Sequence, residues 1–173
     1  QTTFLSKQGQ WPLYQSLYAG KGHLMGWLTV NTNEPESDLS GLLSWIKLPQ
    51  PLAKLYPAGF EFPNGIEAVG SLFSFTNGVP ALNWTRGELF LEGGNLTQSL
   101  TNSVQIDPNL KVSSTNKVSL TITNSSGWFQ GRVVDPATGK PIVVNGTLLQ
   151  KQNTGYGYFL GTNSSGRVYL GPQ

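Results

Sequence analysis

The sequence predicts an all-β protein, an antiparallel β-barrel or β-sandwich built from two similar halves. Three observations point there. Helical periodicity is scarce, because Gly, Pro and Asn interrupt almost every window longer than ten residues. The apolar runs are short and often alternate with polar residues, which is the period of a half-buried strand. A glycine pattern also occurs twice: Gly22-His-Leu-Met-Gly26 is echoed by Gly127-Trp-Phe-Gln-Gly131. Fifteen residues past each second glycine stands another, Gly41 and Gly146. An apolar run ending in Lys47 or Lys151 follows each.

Strands are expected near 11–18, 23–30, 39–47, 66–75, 79–84, 87–92, 103–107, 110–113, 117–123, 127–134, 141–150, 155–160 and 166–170. Val118, Leu120 and Ile122 share one face of their strand, and Leu89 and Leu91 lie opposite Glu88, Phe90 and Glu92. Turn formers separate the runs: Asp135-Pro-Ala-Thr-Gly139, Asn64-Gly65, Asn77-Gly78 and Ser165-Gly166. A longer polar loop, 31–38, occupies the place that the Asp135 turn takes in the second half. The reading is one β domain over 1–173, with pseudo-repeats at about 11–75 and 117–173 and a bridging segment at 76–116. Duplicated antiparallel units close or stack to hide their edges. A β-trefoil would need three copies, and two are found.

Composition narrows the function classes. Charged residues are only 12% of the chain and glycine is abundant at 21 residues. Asn, Ser and Thr supply much of the polarity, as in many secreted β proteins. The eight lysines and three arginines do not cluster, so no nucleic-acid footprint is expected. No apolar run approaches the length of a membrane-spanning helix, and no signal peptide is visible at Gln1. With no cysteine there are no disulfides, thiolate zinc sites or cysteine nucleophiles.

Catalytic groups are few. His23 is the sole histidine, and no Gly-x-Ser-x-Gly elbow accompanies it. Of nine carboxylates, Glu88 and Glu92 share a strand face, but four residues of strand separate them by about 13 Å. That exceeds the separation a glycosidase uses. A pair such as Glu61 or Glu67 with Asp107 stays open, so a glycan-cleaving enzyme is the less favoured alternative. Glu34, Glu36 and Asp38 form a weak calcium candidate, because oxygen ligands at alternate positions suit that ion. No other cofactor is expected.

Sequons occur at Asn83, Asn95, Asn124, Asn145 and Asn163, which chance largely explains in a chain this rich in Asn, Ser and Thr.

The aromatics are more informative. Aligning Gly26 with Gly131 puts Leu24, Leu28, Phe129 and Val133 on an inward face. The opposite face then carries His23, Met25, Trp27 and Thr29 in one copy, and Trp128, Gln130, Arg132 and Val134 in the other. Outward Trp among planar polar groups suits carbohydrate, since rings stack on sugar faces while polar groups take hydroxyls. Loops covering that face would instead make both rings a second core layer. Trp11, Trp84 and Tyr158 join Trp27, Trp128, Gln130 and Arg132 as ligand-binding candidates. Tyr156 and Tyr158 lie about 7 Å apart on one strand face, and Tyr169 has no evident partner. Trp45 sits among apolar residues and reads as buried.

Several strings resemble a known kind of module: Gln10-Trp-Pro-Leu-Tyr14, Leu17-Tyr-Ala-Gly-Lys-Gly22, Asp38-Leu-Ser-Gly-Leu-Leu-Ser-Trp-Ile-Lys47, Gly127-Trp-Phe-Gln-Gly131 and Asp135-Pro-Ala-Thr-Gly-Lys140. They look like a C-terminal module of very large secreted, multimodular bacterial surface proteins. The resemblance spans nearly the whole chain and implies a non-catalytic accessory module, extracellular and part of a larger multidomain chain. It brings no site residues. The expected function is polysaccharide or cell-surface glycan binding, with a structural capping or attachment domain as the alternative.

Overall fold

The computed structural model describes residues 2–114 and 118–172. Lys117, where one strand and the second repeat were expected to begin, lies outside them, as do the last residues of the bridging segment, 115 and 116. Gln1 and Gln173, the ends of the expected single domain, lie outside as well. The chain divides into two compact units, with the boundary between Leu72 and Phe73. Both are built of antiparallel strands, and the only helical element among the described residues is a single 3₁₀ turn, Tyr18–Gly20.

The first unit is an open sheet. Strands β1 (Gln10–Leu17), β2 (Gly22–Val30) and β3 (Leu39–Lys47) form a meander. The two-residue β4 (Phe60–Glu61) and β5 (Ile66–Gly70) both pair with β3, at different heights along it. One side of the sheet buries Leu28 and Leu43. There an aromatic cluster supplies much of the packing. Phe60 meets Trp45 and Tyr56 edge to face with ring centroids 5.2 Å apart, and the Trp45 indole N–H donates to the Tyr18 hydroxyl. Lys47 is buried in this cluster, its Nζ donating to the Tyr56 carbonyl at 2.7 Å and lying 5.5 Å from the Tyr18 ring centre. The hydrogen bond and the facing π-system offset the cost of burying this polar group.

The second unit is an eight-stranded sheet that nearly closes into a barrel. Its strands are β6 (Arg86–Gly93), β7 (Leu100–Ile106), β8 (Val112–Ser114), β9 (Val118–Ile122), β10 (Trp128–Val134), β11 (Pro141–Leu149), β12 (Thr154–Leu160) and β13 (Ser165–Gly171). The spatial order is β8-β7-β6-β13-β12-β11-β10-β9. A lone bridge, Lys111 to Thr121, joins the two ends. Eight strands enclose a space that side chains can fill. Leu89, Leu91, Phe129, Val133, Val144, Leu148, Phe159, Val168 and Leu170 fill it, all essentially without solvent exposure.

Glycines make that filling possible. Phe129 stands opposite Gly146, and its ring takes the space a Cβ on Gly146 would need, with Cζ 2.2 Å from that position. Phe159 does the same over Gly166, its partner on β13. Large rings thus fit where the neighbouring strand has no side chain.

Three expectations change. Residues 79–84 are not a strand, because Pro80 lacks a ladder donor and the segment is held from outside instead. The Gln150 side chain accepts from Ser74 N–H and donates to the Ser74 and Ala81 carbonyls, while buried Leu82 packs against the core. The strand expected over 66–75 ends at Gly70, and the short β4 was not foreseen. The two glycine pairs also occupy different rungs. Gly26 pairs with Leu43, two residues beyond Gly41, whereas Gly131 pairs with Val144, two residues before Gly146. Equal spacing in sequence therefore does not give equal register in the two hairpins.

Candidate functional site

Strand parity leaves both outward tryptophans exposed: Trp27 at 60% and Trp128 at 41%. Their surroundings differ. Trp27 lies in a cross-strand row Pro12–Trp27–Leu42–Glu67, beside a second row, Tyr14–Met25–Ser44. Leu42 and Met25 are exposed as well, so this ring sits on an apolar patch. His23 is stacked on Tyr14, ring centroids 6.3 Å apart.

Trp128 belongs to a longer row. Pairing registers place Trp128 opposite Thr147, Thr147 opposite Tyr156, Tyr156 opposite Tyr169 and Tyr169 opposite Phe90. Five adjacent strands thus carry Trp128–Thr147–Tyr156–Tyr169–Phe90 across the outside of the sheet. Neighbouring strands lie about 4.8 Å apart, so Trp128 and Tyr156 are separated by about 10 Å, with Thr147 between them. Tyr156 and Tyr169 are in contact, with centroids 5.6 Å apart and planes inclined by 59°.

A polar row runs beside it: Thr121–Gln130–Asn145–Tyr158–Arg167–Glu92. Gln130 and Tyr158 are exposed, and Arg167 is ion-paired with Glu92. The surface therefore offers ring faces in one row and amide, phenol and carboxylate groups in the next. Packing among these groups lifts the Tyr169 phenol above its ordinary range: burial is the main cause, and the nearby Tyr156 and Glu88 add to it.

The other candidates fall elsewhere. Arg132 is exposed on β10 between Ser119 and Val143, one rung beyond the polar row. Trp84 is part of the scaffold: its ring packs against the barrel core and its indole N–H donates to the Asn153 carbonyl at 2.9 Å. Trp11 is half-buried opposite Leu28, on the inner side of the first unit's sheet. Trp45, expected to be buried, is partly so, in the aromatic cluster. Glu34, Glu36 and Asp38 do not converge on one point. Glu34 accepts from the Asn31 side chain, while buried Asp38 accepts the Leu72 N–H at 2.6 Å. Among the described residues no group of three or more His, Asp or Glu is placed to hold a metal ion.

Two of the sequons are structural. Asn95 Oδ1 accepts from Thr162 N–H, Asn163 N–H and the Ser164 hydroxyl, and Asn83 pairs with Asn153. Asn145 lies in the polar row.

Sequence reasoning singled out Trp128, Gln130 and Tyr158 but left out Thr147, Asn145, Tyr169 and Phe90. Parity turns Trp128 and Gln130 outward and sets Phe90 opposite Leu89 and Leu91. Only the order β10-β11-β12-β13-β6 makes the residues singled out and those left out neighbours, and β6 and β13 are far apart in sequence. Compared with known proteins, the chain matches no family model, no curated protein and no solved structure. No helix among the described residues is long and apolar enough to cross a membrane.

Proposed function

We propose that this chain is a non-catalytic carbohydrate-binding module that holds a polysaccharide by aromatic stacking on the outer face of its eight-stranded sheet. The observation that carries the reading is the Trp128–Thr147–Tyr156–Tyr169–Phe90 row with the polar row beside it. Rings present flat apolar faces at little conformational cost, and Gln130, Asn145 and Tyr158 take hydroxyls at the ring edges. The glycan lies across the strands rather than along them. The setting is extracellular, within a larger multidomain bacterial surface chain, as the sequence resemblance implies.

The test is binding to a panel of soluble and insoluble polysaccharides, with Trp128→Ala, Tyr156→Ala and Trp27→Ala alongside. Loss of one stacking partner worth about 1.4 kcal/mol weakens binding tenfold. Trp128→Ala and Tyr156→Ala are expected to show that loss with unchanged thermal unfolding. A blank panel, or full binding by both variants, overturns the reading.

A second reading has its own observation. The patch of Trp27, Leu42, Met25 and Tyr14 is apolar rather than mixed, which suits protein contact. The first unit then serves as an attachment surface to a neighbouring domain of the longer chain. Trp27→Ala is expected to leave glycan binding intact. An equal loss in Trp27→Ala and Trp128→Ala would assign both faces to sugar.

A further inference from the structure

The outer face of the eight-stranded sheet carries a second feature, at the opposite end of β6 from Glu92. There Arg86 stands opposite Gln105 on β7, and Gln105 opposite Ser113 on β8. These three residues are shared by two adjoining clefts of about 440 and 510 Å³. The first adds Ser103 and Ser114 to the lining, and the second adds Lys111 and Asp107.

The charge in these clefts is not internally balanced. Arg167, also outward on this sheet, is held by Glu92, but among the described residues no ion pair is formed by Arg86 or Lys111. Asp107 lines the same cleft and offsets one of the two positive charges; its Oδ1 accepts the N–H groups of Asn109 at 2.8 Å and Lys111 at 2.9 Å. A guanidinium and an ammonium therefore share the concave surface with one carboxylate, beside an amide, hydroxyls and apolar and backbone atoms, which leaves one net positive charge. In a chain with only 12% charged residues this is a local concentration of positive charge.

We infer that this cleft binds the carboxylate of an acidic sugar, a uronic-acid unit of an anionic polysaccharide. The planar guanidinium matches a carboxylate bidentately, Lys111 adds a compact charge, and Gln105 and Ser113 complement ring hydroxyls. The site shares only β6 with the Phe90 end of the aromatic row, and Arg86 is four residues down that strand, about 13 Å away. It is thus a separate subsite. The inference deepens the carbohydrate-binding reading by giving it a charge class.

The experiment is calorimetric titration with a short galacturonate oligomer and the same oligomer after reduction of its carboxyl groups, at low and at physiological ionic strength. Acetate serves as competitor, to separate a lone carboxylate from a sugar-borne one. The acidic oligomer is expected to bind about tenfold more tightly than the reduced one, with the advantage shrinking as salt rises. Arg86→Gln abolishes that advantage without weakening the reduced oligomer or lowering the unfolding temperature. Lys111→Gln reduces the advantage in part. Millimolar acetate that removes all of the advantage would make the site a general carboxylate site and overturn the assignment to a sugar.

Equal binding of the two oligomers, binding of neither, or an acid preference that survives Arg86→Gln overturns the cleft inference. Its failure is distinct from failure of the aromatic row. If both oligomers bind equally and Trp128→Ala weakens both, only the cleft is wrong. If Arg86→Gln matters while Trp128→Ala and Tyr156→Ala change nothing, only the aromatic row is wrong.

Discussion

The two outward tryptophans stand on sheets that solve the same problem differently. The first unit is an open sheet in which Leu28 and Leu43 are the deeply buried apolar side chains on the strands, and rings and a buried lysine complete the packing. The second wraps its sheet nearly shut, so that a whole face of every long strand is removed from water. An open antiparallel sheet commonly faces water with polar side chains on its far side. The far side here carries Trp27, Leu42 and Met25. The closed sheet keeps its apolar core on the inner face, apart from its exterior. On that exterior Trp128, Tyr156 and Tyr158 are exposed.

Core substitutions should separate the units most sharply. Phe159→Ala removes a ring that is essentially unexposed and lies over Gly166 and Gly94, at an expected cost of about 3–5 kcal/mol. Leu28→Ala in the open sheet should cost about 2–3 kcal/mol. Urea denaturation followed by circular dichroism measures both, and equal losses would remove the distinction drawn between the units.

Overpacking comes next. Gly146→Ala drives a methyl into the Phe129 ring and the Tyr156 carbonyl oxygen, 2.2 and 2.5 Å from the new Cβ. A loss of about 1–3 kcal/mol is expected in the same assay.

The two aspartates of the matching loops extend the comparison. Asp38 is buried and receives the Leu72 N–H, whereas Asp135 caps an exposed turn through Thr138 and Ala137. Asp38→Ala should cost about 1.5–3 kcal/mol, because it removes a charge-assisted bond and strands a backbone donor. Asp135→Ala should change the unfolding midpoint far less. If the order is reversed, the surface turn matters more than burial allows.

The pH effects are smaller and opposite in sign. The Thr138 hydroxyl first, then the Ala137 N–H, hold the Asp135 carboxyl below its ordinary value. Its contribution is present above that ordinary value and is lost as pH falls through the lower folded value. Thr138→Val should flatten this acid limb of a thermal-stability profile. The Tyr169 phenol is raised, so its contribution is present below the ordinary tyrosine range and is lost as pH climbs through the folded value. Tyr169→Phe should flatten the alkaline limb above pH 10 and leave the acid limb alone.

Much of the fold was legible because alternation is local. The parity of Val118–Leu120–Ile122 and of Leu89–Leu91 placed them inside, where they lie. The same rule turned Trp27 and Trp128 outward. It failed at 79–84, where Pro80 and the Gln150 side chain override the apolar pattern. The glycine repeat pointed to two similar hairpins, but spacing within a strand pair does not set which residues face each other. Turn length and side-chain volume do that, and the loops differ: eight residues, 31–38, against six, 135–140.

By itself, then, the sequence determined that the chain is β throughout, where most strands lie and which side chains face out from them. These follow from a two-residue period and from Gly, Pro and Asn at the turns. Only the tertiary structure decided that the second sheet closes, that Phe129 and Phe159 settle over glycines of the next strand, and that Trp128, Tyr156, Tyr169 and Phe90 form one row. Those facts depend on register between strands distant in the chain. Register is selected by the packing of the whole interior, and no local pattern encodes it.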